Sequence, residues 1–302
     1  MTARSVRTRP VFELPACPSP PAPLGVIASG GMLPVLVAEG MRRAGHAVVG
    51  LGLAGQYPRE FPALCDRFLE AGLLRVGGWA RKLRKLGVTH AVMVGKVDKA
   101  NLMHNKAALV RLIPDWWTVK MYWSMGRGDR RSHAMLTAVA DELARGGVLL
   151  IDSTLHIPDH MASDGVLTKR EPTAAQRADI DFGWPILSEL LSLDIGQAIA
   201  VRGRDVVAVE AVEGTDRMIE RAGQLCSPKA PTGWVLLKGA RLGHDRRSDV
   251  PTIGPDTVRT LHRCGGGCIA VASGDVIILN RPETLALADS LGVSIVGVAR
   301  PG

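Results

Sequence analysis

No stretch of eighteen consecutive apolar residues occurs among the 302 of this chain, which excludes a membrane-spanning helix of ordinary length. Aromatic residues are scarce, with four Phe, two Tyr and six Trp, and no RNA- or DNA-binding signature accompanies them. Cysteine is also sparse. Five residues, an odd number at scattered spacings, argue against a disulfide framework and for a reducing, cytoplasmic setting. Cys264 and Cys268 bracket three glycines, but two thiols do not complete a zinc site. The full G-x-G-x-x-G fingerprint is missing too, and no acidic residue closes the apolar run HAVVGLGL, so an NAD-linked oxidoreductase is disfavoured.

What is present is a globular composition, 46% hydrophobic and 22% charged, with a net charge of +8 from 37 basic and 29 acidic residues. A basic surface serves nucleic acid, anionic lipid or a phosphorylated substrate. Without a nucleic-acid signature the last two stand ahead, and peripheral attraction to an anionic membrane surface fits the charge. Residues 1–23 are rich in Arg and Pro and lack a continuous apolar core, so they read as a flexible tail rather than a secretory signal.

Residues 24–155 alternate strand and helix. LGVIAS (24–29), HAVVGLGL (46–53), THAVMVGKV (89–97) and VLLIDST (148–154) are apolar runs separated by amphipathic segments near 34–45, 79–86 and 135–144. That grammar predicts a Rossmann-like parallel sheet covered by helices. The glycine turn Ser29-Gly30-Gly31 lies at the carboxyl end of the first strand. It is either a phosphate cradle before a helix N-terminus or a tight turn that needs small residues. Residues 156–180 lose periodicity and read as a connecting segment. Its His156, Asp159 and His160 could be read as metal ligands, but their spacing is that of neither a zincin nor a zinc finger. Residues 181–302 mix hairpins with helices, an α+β domain with a mixed sheet. Hairpins are expected at Arg202–Asp205 and at Ser273-Gly274-Asp275, with helices after EGT, from Pro255 and over 283–291.

Residues 236–255, LLKGARLGHDRRSDVPTIGP, carry the most chemistry. An apolar run ends in Lys238, and the loop beyond it gathers His244, Asp245, Arg246, Arg247 and Asp249. Carboxylates hold a hard divalent cation, and Arg forks phosphate oxygens; a solvated charged turn is the plainer alternative. Glu213 and Asp216 flank a glycine turn and can converge on one ion, while Thr215 or Asp216 is a candidate helix N-cap. Glu210 faces away from Glu213 unless the strand bends between them. Asp194 and Gln197 precede a buried strand, where Gln197 bonds either a sugar or base or a neighbouring backbone group. Lys238 either snorkels to solvent or reaches a phosphate. Hydrolysis of a phosphoric anhydride needs these parts: a divalent cation, a positioned water and positive charge on the leaving oxygens.

The segments GVIASGGMLP (25–34), DIGQAIAV (194–201), EAVEGTDRMIER (210–221) and VLLKGARLGHDRRSDVPTIGP (235–255) together resemble the UDP-2,3-diacylglucosamine pyrophosphatases of the LpxI type, in order and over roughly residues 24–298. The resemblance implies Mg²⁺-dependent hydrolysis of UDP-2,3-diacylglucosamine to UMP and 2,3-diacylglucosamine 1-phosphate, a lipid A pathway step in which water attacks the α-phosphorus; Mn²⁺ is the alternative ion. It maps the key loop aspartate onto Asp245, with Asp249, Glu213 and Asp216 as further metal ligands. Substrate contacts fall on Gly30, Gly31, Gly78, Lys96, Thr168, Asp194, Gln197, Thr215, Lys238 and Arg247. His244 stands where relatives usually carry Gln. The resemblance further implies a homodimer working at the inner face of the inner membrane. The two acyl chains of such a substrate need an apolar groove, expected between the domains and lined partly by Trp184, Ile186 and Leu187, unless these are core residues. The competing reading is a non-catalytic binding or regulatory protein of the same fold.

Overall fold

The computed structural model describes residues 14–96, 115–124, 132–226, 233–247 and 250–299. Two units divide the chain: Met1–His156 with Gly243–Asp249, and Ile157–Leu242 with Val250–Gly302.

In the first unit the apolar runs form strands buried on both faces, as a parallel sheet covered by helices requires. β1 (Leu24–Ala28) and β2 (Val48–Leu53) have no exposed residue. β3 (Arg67–Ala71), β4 (His90–Val94) and β5 (Leu149–Leu150) complete a sheet of order β3-β2-β1-β4-β5, parallel at every pairing. β1 is followed by α1 (Leu33–Arg43), which carries a proline in its first turn, where the ring removes no needed donor. α2 (Val76–Arg84) buries Val76, Trp79, Ala80 and Leu83 and turns Arg81, Lys82 and Arg84 outward. α3 (Trp116–Ser124) and α4 (Ser132–Arg145) follow. Trp79 and Leu83 meet Leu143 of α4 and Ile27 and Leu51 of the sheet in one core.

The second unit contains β6 (Gly165–Val166), β7 (Ala198–Val201), β8 (Val206–Val209), β9 (Trp234–Lys238), β10 (Thr252–Ile253), β11 (Gly266–Ala272), β12 (Ile277–Ile278) and β13 (Ser294–Val298), with α5 (Ala174–Ser192), α6 (Thr215–Leu225), α7 (Pro255–Arg263) and α8 (Arg281–Leu291). Its six-stranded sheet has order β6-β13-β11-β9-β7-β8. β9, β11 and β13 run parallel, and β7, β8 and β6 pair antiparallel to their neighbours. β9 shows how both faces are covered: Trp234 and Leu236 pack with α6, α7 and α8, while Val235 and Leu237 pack with Ile180, Leu187 and Leu191 of α5. Such alternation follows from the two-residue period of a strand.

Three expectations change here. The turn at Ser273-Gly274-Asp275 is not a hairpin, because β12 leaves the large sheet and pairs in parallel with β10. α5 begins inside the segment taken as a connection, started by a capping box in which Gln176 N donates to Thr173 Oγ1 (3.2 Å) and Thr173 N to Gln176 Oε1 (2.9 Å). Leu187 of that helix is a core residue, and Trp184 and Ile186 pack against the same core. The hairpin at Arg202–Asp205 does form. Gly203 and Arg204 both adopt positive φ, as a twist-matched two-residue turn demands. The buried Asp179 of α5 accepts from Gly203 N (3.0 Å) and Arg204 N (2.6 Å). Among the described residues, no helix is long and apolar enough to cross a membrane.

Candidate active site

In an open parallel sheet, ligands meet the carboxyl ends of the strands where the order reverses. In the first unit that point lies between β1 and β4. Gly30 N donates to Lys96 O (3.0 Å) and Lys96 N returns a bond to Gly30 O (2.8 Å), clamping the two strand ends together. A Cβ at Gly30 would come within 2.9 Å of Lys96 O, so the clamp itself selects glycine. Gly31 adopts φ +89 with open space beside it. It leads into α1, whose N-terminus has no side-chain cap. Uncapped N–H groups at a helix start attract anions. The Lys96 side chain is exposed on the same edge.

The end of β5 lies further along that edge. Asp152 accepts from Thr154 N (2.8 Å) and Thr154 Oγ1 (2.6 Å), and its other oxygen lies 3.7 Å from Arg246 Nη1. Ser153 donates to Arg246 O through both N (3.0 Å) and Oγ (2.7 Å). These bonds pin the loop that carries Asp245. Arg247 then forks Asp245: Nε lies 2.8 and 2.9 Å from the two oxygens, Nη2 lies 2.6 Å from Oδ2, and the backbone N of Arg247 adds 3.1 Å to Oδ1. The two side chains are only 9% and 10% exposed, so this is no solvated turn. The cluster combines an ionised carboxylate held by a guanidinium with a second carboxylate at the strand end. Asp152 is the residue that sequence reasoning passed over, although an aspartate at the carboxyl end of a parallel strand was the available signal.

The second unit builds a separate polar chain. Lys238, the last residue of β9, is buried at 5% exposure, so it does not snorkel. Its Nζ donates to Thr215 Oγ1 (2.8 Å), and that hydroxyl donates to Glu210 Oε1 (3.0 Å). Glu210 Oε2 accepts from Gln197 N (3.3 Å). Gly196, at φ +58, packs so closely that a Cβ would sit 2.0 Å from Glu210 O. The chain directly beyond β8 therefore turns the buried Glu210 inward, a partner that spacing did not reveal. Thr215 is not the N-cap of α6, and neither is Asp216; that position belongs to Gly214 at φ +82. Asp216 lies exposed in the helix's first turn. Glu213 accepts from Ala211 N (3.1 Å) and pairs with Arg221. Its pKa is lowered, first by its own backbone N–H and then by Arg221.

The remaining sequence candidates lie elsewhere. Gly78 sits within α2 with open space around it. Thr168 is buried, donating to Arg170 O (2.9 Å) and accepting from Ile295 N (2.9 Å), so its hydroxyl ties β13 down. Asp194 takes the left-handed position after α5, with Asp194 N to Leu191 O at 3.1 Å and Ile195 N to Leu190 O at 3.0 Å, the Schellman closure. Asp249 lies outside the described residues.

Comparison with known proteins adds two findings. Residues 23–160 match the family model described as the LpxI N-terminal domain, and residues 163–296 match that of the LpxI C-terminal domain. The chain is also 32% identical over 286 residues, covering 91% of itself and 97% of the relative, to a protein of Caulobacter vibrioides named UDP-2,3-diacylglucosamine pyrophosphatase LpxI.

Proposed function

The chain belongs to the LpxI family, and from that premise we propose that it hydrolyses UDP-2,3-diacylglucosamine to UMP and 2,3-diacylglucosamine 1-phosphate. The observation that carries the reading is the buried Asp245–Arg247 fork, pinned beside Asp152 at the carboxyl edge of the first sheet. Water adds its oxygen to the α-phosphorus, and the bond from that phosphorus to the bridging oxygen breaks. The bridging oxygen departs with the sugar-lipid phosphate, and the water's protons pass to a base and to solvent. Asp245 is our assignment for the group that holds or deprotonates that water. Arg247 and Arg246 supply the positive charge that phosphate oxygens demand.

The hard oxygen donors of Asp245 and Asp152 fit Mg²⁺, with Mn²⁺ next, and Asp249 of the same loop is the further ligand we assign. When bound, the ion neutralises charge on the phosphate oxygens. Glu213, already engaged by Arg221 and by backbone N–H groups, fits a structural role better than a ligand role. In the second unit, Lys238, Thr215 and Gln197 are our substrate-binding assignments. A lipid substrate places the protein on a membrane surface, here the inner face of the inner membrane. The net charge of +8 and the exposed Trp116 and Trp123 of α3 suit that setting. We also propose the homodimeric assembly.

One observation favours the non-catalytic reading. Both oxygens of Asp245 already face Arg247, as a purely structural pair would have them. Release of UMP with Mg²⁺, wild type against Asp245→Ala, decides between the two. Catalysis predicts turnover that falls by about a hundredfold or more, roughly 2.7 kcal/mol of transition-state stabilisation. Wild-type protein that binds the lipid without releasing UMP overturns the enzyme reading. Undiminished turnover in the variant removes Asp245 from the mechanism.

A further inference from the structure

On the first unit, three side chains that carry soft or borderline metal donors meet. Cys17 comes from the segment ahead of β1, His46 from the turn before β2 and His156 from the chain after β5. One donor atom of each lies within 4.8 Å of the donor atoms of the other two. The Cys17 Sγ to His156 Nε2 separation is 4.0 Å, and the two imidazoles stand edge to face at 5.3 Å. In a tetrahedral site with a metal–sulfur bond of about 2.3 Å and a metal–nitrogen bond of about 2.1 Å, sulfur and nitrogen sit about 3.6 Å apart. Closing the cluster on an ion therefore asks for movements of a fraction of an ångström to about one.

Two details point to a ligand rather than to ordinary packing. His46 Nδ1 lies 3.0 Å from Ala22 O. A carbonyl only accepts, so Nδ1 must donate, and the lone pair is left on Nε2. A backbone acceptor behind the ring is how metal-binding histidines are oriented. His156, in turn, turns Nε2 toward the thiol at 4.0 Å, while its Nδ1 is buried with no hydrogen-bond partner. His156 is also fixed in place: a Cβ on Gly40 of α1 would lie 1.9 Å from His156 O, so only glycine admits the helix at this distance.

We propose that Cys17, His46 and His156 form a transition-metal site of the zinc class, which fastens the segment ahead of β1 to the first unit. One thiolate with two imidazoles is a donor set for Zn²⁺. Binding forms the sulfur–metal bond as the S–H bond breaks and its proton leaves to solvent, and a water fills the fourth position. Cys17 precedes the residues 23–160 matched to the family, whereas His46 and His156 lie within them.

The test uses Co²⁺ as a spectroscopic stand-in for Zn²⁺ on the full-length, fully reduced protein. A thiolate-to-cobalt charge-transfer band should rise with added Co²⁺, saturate at a single ion per chain and be displaced by Zn²⁺. Cys17→Ala should abolish the band and weaken Zn²⁺ binding by about a hundredfold or more, since losses of tenfold to a hundredfold already follow removal of an orienting partner. Cys17→His should bind Co²⁺ without the charge-transfer band, separating a lost ligand from a lost fold. UMP release with Mg²⁺ should be unchanged in Cys17→Ala. No band in the wild type overturns the proposal, and so does a band that persists in Cys17→Ala. None of these optical readouts depends on turnover, so they stand or fall apart from the pyrophosphatase reading.

Discussion

If the Asp245–Arg247 fork is an anchored buried pair, its two halves must be energetically coupled. Removing Arg247 takes the guanidinium fork from a carboxylate that is only 10% exposed. Breaking a fully buried pair costs about 3–5 kcal/mol. Here the pair lies on a loop, so the abandoned carboxylate can turn toward water, and we expect about 2–3 kcal/mol for Arg247→Met. Asp245→Asn should cost a comparable amount, because the guanidinium then loses the carboxylate it forks. The double variant removes both charges and should cost well under the sum, leaving a coupling of about 2 kcal/mol. Arg247→Lys keeps the charge but loses the fork and should recover only part of the loss. Urea denaturation of the four proteins, followed through the transition of the first unit, measures the cycle. Costs that add to within about 0.5 kcal/mol would mean that the fork does not hold the loop.

Asp179→Ala takes the shared acceptor from two backbone donors, Gly203 N and Arg204 N, in an exposed turn at positive φ, and should destabilise the second unit by about 1–2 kcal/mol in urea. Thr215→Val takes the donor from Glu210 and the acceptor from Lys238. It should raise KM for UMP release about tenfold while changing kcat less, whereas a fall in kcat alone would place Thr215 at the chemistry instead. Glu213 has its pKa lowered by its own backbone N–H and by Arg221, so its contribution to stability is present above the ordinary carboxylate value of about 4.3. That contribution is lost as pH falls through the lower folded value. Melting temperatures of wild type and Glu213→Gln should therefore converge in acid and separate above it; curves that stay parallel would refute the assignment.

Both sheets are legible in the sequence wherever burial on both faces leaves an unbroken apolar run. LGVIA, VVGLGL and WVLLK became β1, β2 and β9 almost to the residue. β3 escaped because RFLEA lies at the sheet edge and carries exposed Arg67 and Glu70, so its pattern is diluted by charge. α5 was hidden by Pro185 and a helix face that lacks a clean polar stripe, although Thr173 and Gln176 spell the capping box. The false hairpin at 273–275 has a different cause. A glycine turn between apolar runs reports a change of direction, and only the tertiary partner β10 decides that β12 leaves the sheet. Site residues followed the same logic. Lys238 announced itself as a charge at the end of an apolar run, and Asp245 as part of the charged loop beyond it. Glu210 and Asp152 look like ordinary strand-end acids until their partners, Thr215 and the 244–247 loop, are placed beside them.

The path of that loop bears on how the chemistry is assembled. Residues 243–249 are flanked in sequence by the second unit yet belong to the first. What holds them there is specific: two hydrogen bonds from Ser153 to Arg246 O, and Asp152 opposite the Arg246 side chain. β9 is thus not sufficient to position Asp245, although the chain runs from its end into that loop. A chain starting at residue 157 would carry Asp245 and Arg247 but none of the β5-end groups that fix them. The D-x-R-x-D stretch is legible as one motif, but its geometry is a property of two distant stretches of chain, and the strand-end acid at position 152 is as much a part of it as the loop's own residues.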